Sequence, residues 1–164
     1  MDIDRPPLIA RLEATHPTLV QLTRDLNTAV LDFHPGPAEW SIREILAHLV
    51  DDEMYVMRTR LERMIKEDEP LLAPHAEQRW YATRNMSRDE LTQLLDDFAL
   101  QRAASLGIIR MLREAEWKRV GIQPEYGRFT AEEWLGRWAA HDQTHLEQIE
   151  ANIAAFARPS TKDG

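Results

Sequence analysis

Apolar residues recur every three or four positions over most of the chain, the period of helices that bury one face. Three of these stretches open on the same short pattern: Ser41–Glu44 (SIRE), Ser87–Glu90 (SRDE) and Thr130–Glu133 (TAEE). In such a box the hydroxyl accepts the backbone N–H three residues on, and the glutamate reaches back to the cap residue's own N–H. The pattern predicts helices over 41–66, 87–116 and 130–156. A further helix starts at Asp4, with prolines in its first turn and Leu8, Leu12, Leu19, Leu22 and Leu26 along its face. Pro17 lies inside it and is expected to kink or split it near His16. The run FHPGPAEW then ends this region in turns.

Between the second and third long helices, Glu67–Met86 is too long for a bare loop, and a short helical turn around Glu77–Arg84 is expected across one end of the molecule. KRVGIQPEYGRF reads as a shorter connection, with no strand pattern anywhere. The prediction is an all-α four-helix bundle, one domain over residues 1–157, with a flexible tail at 158–164.

The faces of these helices carry the chemistry. On the last helix the core stripe runs Leu135, Ala139, Asp142, Leu146, Ile149, Ile153, Phe156. The neighbouring seam runs Trp134, Trp138, His141, His145, Gln148, Asn152. At about 100° per residue, His141 and His145 sit one turn apart on the shoulder of that stripe and can converge on one point. The second long helix repeats the arrangement, with core positions Ile42, Leu46, Leu49, Glu53, Val56 and a shoulder of Ile45, His48, Asp52, Tyr55. If these two helices are neighbours, three imidazoles meet inside the bundle. Three neutral nitrogen donors suit Zn²⁺, Ni²⁺ or another borderline divalent ion and leave room for a water. Set against this, a lone HxxxH is common on solvated helices, and His48 by itself reads as an interior histidine. Glu44 is explained by its capping role, and His16, His34 and His75 read as surface residues beside prolines or in loops. Trp40, Trp134 and Trp138 are expected to fill the bundle end and wall the pocket.

Charges on core stripes need partners. On the third helix Arg102 takes an apolar position in the series Leu91, Leu95, Phe98, Arg102, Ser105, Ile109, Leu112. An arginine cannot shed its charge, so Arg102 is expected to pair inside the bundle with Glu53, Asp142 or both. A sharper alternative places Arg102 at the pocket floor, binding a substrate carboxylate. Asp52 and Asp142 are the candidates to support the ligand imidazoles, with Asp52 also a candidate general base.

Composition narrows the function. With 20 Lys and Arg against 28 Asp and Glu, the net charge is −8, and no basic block relieves it, so nucleic acid is not an expected partner. The absence of cysteine excludes disulfides, thiolate metal ligands and a protein-borne thiol nucleophile. No apolar run approaches the ~20 residues of a membrane span, and the opening lacks a signal pattern. A cytoplasmic protein acting on a small molecule is the expectation.

Two segments, EWSIREILAHLVDDE (Glu39–Glu53) and GRFTAEEWLGRWAAHDQTHLEQI (Gly127–Ile149), resemble the signature segments of the DinB-like family of four-helix-bundle metalloproteins. The stretches FALQRAASLGIIRML and EWKRVGIQPEYG resemble its third helix and following connection, so the likeness covers nearly the whole chain and is weakest over Glu67–Met86. It implies an up-down-down-up bundle and a divalent metal on three histidines, which map to His48, His141 and His145. Members include S-transferases that use low-molecular-weight thiols, an isomerase with a thiol cofactor, and proteins described as metal-dependent hydrolases; the resemblance also leaves a homodimer open. Three functions follow. The first is a metal-dependent transferase whose sulfur arrives with a thiol co-substrate, activated as the metal thiolate. The second is a metal-dependent hydrolase with Asp52 as base. The third is a non-catalytic binder in which the metal staples the bundle.

Overall fold

The computed structural model describes residues 3–75, 80 and 83–158. Helix α1 spans Arg5–Thr23, and Pro17 does not split it. The leucines flanking the proline, Leu12 and Leu19, are fully buried, and their packing outweighs the one backbone bond proline forfeits. After the four-residue α2 (Thr28–Leu31), α3 (Ile42–Asp52) starts on the complete Ser41–Glu44 capping box. A π-helical stretch, Glu53–Arg58, joins it to α4 (Thr59–Lys66) and makes one rod of the predicted 41–66 helix. Helix α5 spans Leu91–Met111, α6 is the single turn Glu114–Trp117, and α7 runs Ala131–Phe156 behind the complete Thr130–Glu133 box.

Three expectations need correction. The box at Ser87 does not form: Met86–Arg88 is a separate 3₁₀ turn capped by Asn85, and α5 begins at Leu91 after Glu90. Asp89 is held away from the helix by the Arg84 guanidinium, and its carbonyl accepts from Arg43 Nη1 at 2.6 Å. At the other end the helix stops at Met111 because Leu112 turns extended (ψ 130°). The α6 turn then brings Trp117 into the core beneath Arg5. The connection before α7 is a β-hairpin, β1 (Val120–Gln123) against β2 (Gly127–Thr130). Gln123 Oε1 accepts the N–H groups of Glu125 and Tyr126, and Gly127 supplies the positive φ (73°) that closes the turn. The expected helical turn at Glu77–Arg84 lies largely outside the described residues; Trp80 and Thr83 within it are helical.

Contacts between helices give the topology. α1 is parallel to α7, with Leu8 beside Gly136 and Thr15 on Asp142. It is antiparallel to α5, where Arg102 reaches the Leu12 carbonyl and Phe98 stacks with His16. The α3–α4 rod is antiparallel to α7, since His48 meets His141 and the Met57 carbonyl meets Trp134. The helices therefore run up, down, down, up. Two apolar clusters fill the bundle, one around Leu12, Met64 and Trp138, the other around Leu19, Ile45, Phe98 and Ile149.

A charged layer crosses the core beside them. Arg102, 2% exposed, donates Nε and Nη2 to Glu53 (2.9 and 2.8 Å) and Nη1 to Asp142 Oδ2 (2.7 Å) and the Leu12 carbonyl (2.8 Å). Both predicted partners are present. Trp138 Nε1 and Thr15 Oγ1 complete the layer by donating to Glu53 and Asp142.

Candidate metal centre

His48 is on α3, and His141 and His145 are on α7, where the two helices pass each other antiparallel. The helical spacing does the rest. His141 Nε2 lies 3.2 Å from His48 Nε2 and 3.2 Å from His145 Nε2. Parts of the seam predicted as a shoulder are as buried as the core stripe: His48 and Trp138 are both 0% exposed. Trp40 caps the cluster, its ring 4.8 Å from His48 and nearly parallel to His145 at 6.4 Å. Trp80 packs edge-on against His48 at 5.4 Å. Ring packing holds His48, whose Nδ1 is buried without a hydrogen-bond partner among the described residues.

These residues fit a divalent ion. Ligand bonds of about 2.0–2.1 Å in a tetrahedral arrangement put neighbouring donor nitrogens about 3.3 Å apart, close to the spacing found. His145 Nδ1 donates to Gln148 Oε1 (2.7 Å), which leaves its Nε2 as a lone pair facing the cluster. Burial, together with the neighbouring His141 imidazole, pushes His145 down to about 4. Burial likewise pushes His48 down to about 3, against the opposing pull of Asp52. Both rings are therefore neutral ligands at neutral pH. His141 differs: burial would lower it, but the carboxylates of Asp142 and Asp52 outweigh that and raise it to about 9. Positive charge is thus favoured at the meeting point of the three nitrogens.

The two aspartates stand on opposite sides of His141. Asp142 Oδ1 lies behind it, 3.7 Å from Nδ1, in charge contact but beyond hydrogen-bond length. Asp52 lies in front, with Oδ2 3.5 Å from the Nε2 atoms of both His48 and His141. Its other oxygen, Oδ1, is 3.0 Å from Nε2 of His75. Although burial alone would raise it, the imidazoles around Asp52 hold its carboxyl well below the usual carboxylate range.

His75, expected at the surface, joins the site. The segment 70–75 is carried to the site by the hairpin: Leu72 N–H bonds the Ile122 carbonyl, and Ile122 N–H bonds the Pro70 carbonyl. Gly121 allows the close approach, since a Cβ there would stand 2.7 Å from Leu72 Cδ1. The one available signal was a glycine in a short Val-Gly-Ile run, too little to reveal a strand or its partner segment. Glu44 stays in its cap, as expected, with Ser41 N–H on Oε2 at 2.8 Å. Arg102 is 2% exposed, and its guanidinium is committed to Glu53, Asp142 and Leu12. The geometry supports the ion-pair role and offers a substrate carboxylate no approach.

A cavity of about 320 Å³ opens on the cluster, walled by Asp52, Arg60, His75, Tyr126, Arg137 and His141. Arg60 lies over the Trp134 ring (5.2 Å) and donates to the Ala73 carbonyl (2.7 Å). Burial lowers its pKa, opposed by Tyr126, Asp52 and Glu125.

The model of the DinB superfamily matches residues 11–149. The chain belongs to the DinB superfamily. Two relatives of this DinB chain, each 29% identical, carry the name "Putative metal-dependent hydrolase". One is from Oceanobacillus iheyensis, aligned over 76% of this chain and 72% of that protein. The other is from Bacillus licheniformis, over 78% and 73%. YuaE of Bacillus subtilis, an uncharacterised protein, is 27% identical over 77% of this chain and 85% of its own length. Among solved structures, YfiT from Bacillus subtilis superposes with a TM-score of 0.84 at 20% identity, covering 94% of this chain and 89% of YfiT. Its description is "a probable metal-dependent hydrolase with an unusual four-helix bundle topology". TT2238, a four-helix bundle protein, superposes at 0.61 with 21% identity over 88% of this chain and 97% of its own. At these identities the two structures establish the shared four-helix-bundle fold.

Proposed function

We propose that this protein is a metal-dependent hydrolase whose ion is held by His48, His141 and His145, with Asp52 as general base. One observation carries the reading: Asp52 Oδ2 stands 3.5 Å from two of the three converging nitrogens while its other oxygen is held beside His75. A divalent ion on three imidazoles supplies Lewis acidity, lowering the pKa of a water it binds and polarising a carbonyl. The chain's own residues do the rest. Asp52, kept ionised by its imidazole neighbours, is placed to take a proton from a nucleophile entering the cavity. His75, 3.0 Å from Oδ1, stands on the far side of the carboxylate from the cluster that Oδ2 faces. Trp40 and Trp80 shut water out from behind His48. The names of the two 29%-identical relatives support the same chemistry.

A thiol S-transferase is the second reading, favoured by the absence of cysteine: any sulfur nucleophile must come with a low-molecular-weight co-substrate. The same Asp52 would accept the thiol proton. Zinc- and nickel-loaded protein should be assayed on a panel of esters and amides, and on an electrophile with several thiols. Cleavage that needs metal but no thiol is the expected result, with Asp52→Asn slowing it about 10²–10⁴-fold at unchanged metal content. Turnover that appears only with thiol transfers the site to the second reading. A metal-loaded protein that turns over neither class refutes both.

A further inference from the structure

The cavity in front of the histidines holds two cations that no catalytic step above requires. Arg60 is 8% exposed, yet it makes no ion pair with a carboxylate among the described residues. Its direct contacts are one carbonyl, Ala73 O at 2.7 Å, and the face of Trp134, while Asp52 and Glu125 act on it only at a distance. Arg137 lies over the rings of Tyr126 (4.8 Å) and Phe129 (5.7 Å), likewise without a described carboxylate partner. Elsewhere guanidiniums such as Arg43, Arg63, Arg102 and Arg128 each sit on an acid. Glu125 also lines the cavity, but its backbone N–H and carboxylate are tied to Gln123 in the hairpin turn.

Helix geometry places both cations relative to the metal site. Arg137 precedes His141 by one turn on α7, on the same face. Arg60 follows Asp52 by eight residues on the rod, about 12 Å of axis, and a helical side chain leans back toward the N-terminus, shortening that span. We propose that Arg60 and Arg137 bind an anionic group of the substrate. The substrate class is then a small molecule carrying a carboxylate or phosphate several bonds from the group that meets the metal. A planar guanidinium takes either oxyanion in two-pronged fashion, and Arg60, anchored over Trp134, is preorganised for it. This rests on the metal-site reading for where the other end of the substrate lies, and on the unpaired arginines for its charge.

Two measurements keep the readings separable. Zinc titration of the wild type tests the metal site alone. The zinc-loaded protein is then offered succinic monohydroxamate, its phosphonate-tailed analogue, and uncharged butyrohydroxamate. All three present a metal-binding hydroxamate, and only the first two carry an anionic tail. The proposal expects an anionic tail to bind about tenfold tighter or better, and the preferred tail identifies carboxylate or phosphate. Arg60→Gln and the exposed-site variant Arg137→Met should each reduce that preference while leaving butyrohydroxamate affinity unchanged. Arg60→Lys should retain part of it. Equal affinity for charged and uncharged hydroxamates in the wild type overturns the proposal. If the protein takes up no zinc, the metal reading fails by itself. The arginines are then tested with succinate and inorganic phosphate on the same metal-free protein, where binding lost in Arg60→Gln upholds the anion site and no binding overturns it.

Discussion

Buried charges in this bundle are of two kinds, and the difference lies in what their remaining atoms face. Arg102, Glu53 and Asp142 neutralise one another, with Thr15, Trp138 and the Leu12 carbonyl taking further bonds. Asp52 is equally buried, at 3% exposed, but its oxygens face imidazoles and a cavity. Removing one member of the first group strands the others: Arg102→Met leaves two carboxylates unpaired and is expected to cost about 3–5 kcal/mol, read from urea unfolding. A double change, Arg102→Met with Glu53→Gln, should recover part of that loss, because one stranded charge goes with it. Asp52→Asn should behave oppositely, with little loss of stability and a large loss of turnover. A stable Arg102→Met protein would show that the charged layer contributes nothing net to the fold.

At the scale of elements, legibility follows the range of the interaction that forms each one. Capping boxes are local, so Ser41 and Thr130 mark true helix starts; Thr130→Ala should cost about 0.5–2 kcal/mol, measurable as a lowered Tm. Ser87 carries the same local signal and fails, because Asp89 is held by Arg84 just before it and by Arg43, 46 residues away. The π-helical turn at Glu53–Arg58 was not legible either. It rotates the rod's second half, leaving Tyr55 65% exposed where the periodicity put it beside His48 and Asp52, and burying Met57. The convergence of His48, His141 and His145 was readable, since each histidine keeps a regular helical offset from its own core stripe. His75 was not, because its place depends on a hairpin and on the lack of a side chain at Gly121. Gly121→Val is therefore expected to destabilise the protein by about 1–3 kcal/mol through overpacking against Leu72 and Met64, and to reduce turnover by displacing His75 from Asp52. Unfolding and kinetics of that one variant check both effects. Lost stability with undiminished turnover would remove His75 from the account.

For the whole molecule, the up-down-down-up order makes α1 and the α3–α4 rod diagonal neighbours, and so sets the rod directly against α7. That one topological fact unites histidines 93 residues apart in sequence. Among the described residues no helix is long and apolar enough to cross a membrane. Because the ion would bind only the folded bundle, metal at 100 times its Kd should add about 2.7 kcal/mol of stability, and a chelator should remove it, both seen as shifts in Tm. The most direct test of the central claim is calorimetric titration of chelator-stripped protein with zinc, and with nickel in parallel, on the wild type and on His48→Ala, His141→Ala and His145→Ala. The account predicts one ion per chain in the wild type, with each single change weakening binding at least about tenfold while the helical circular dichroism is retained. Wild-type protein that takes up no ion, or an ion bound equally well by all three folded variants, would contradict it.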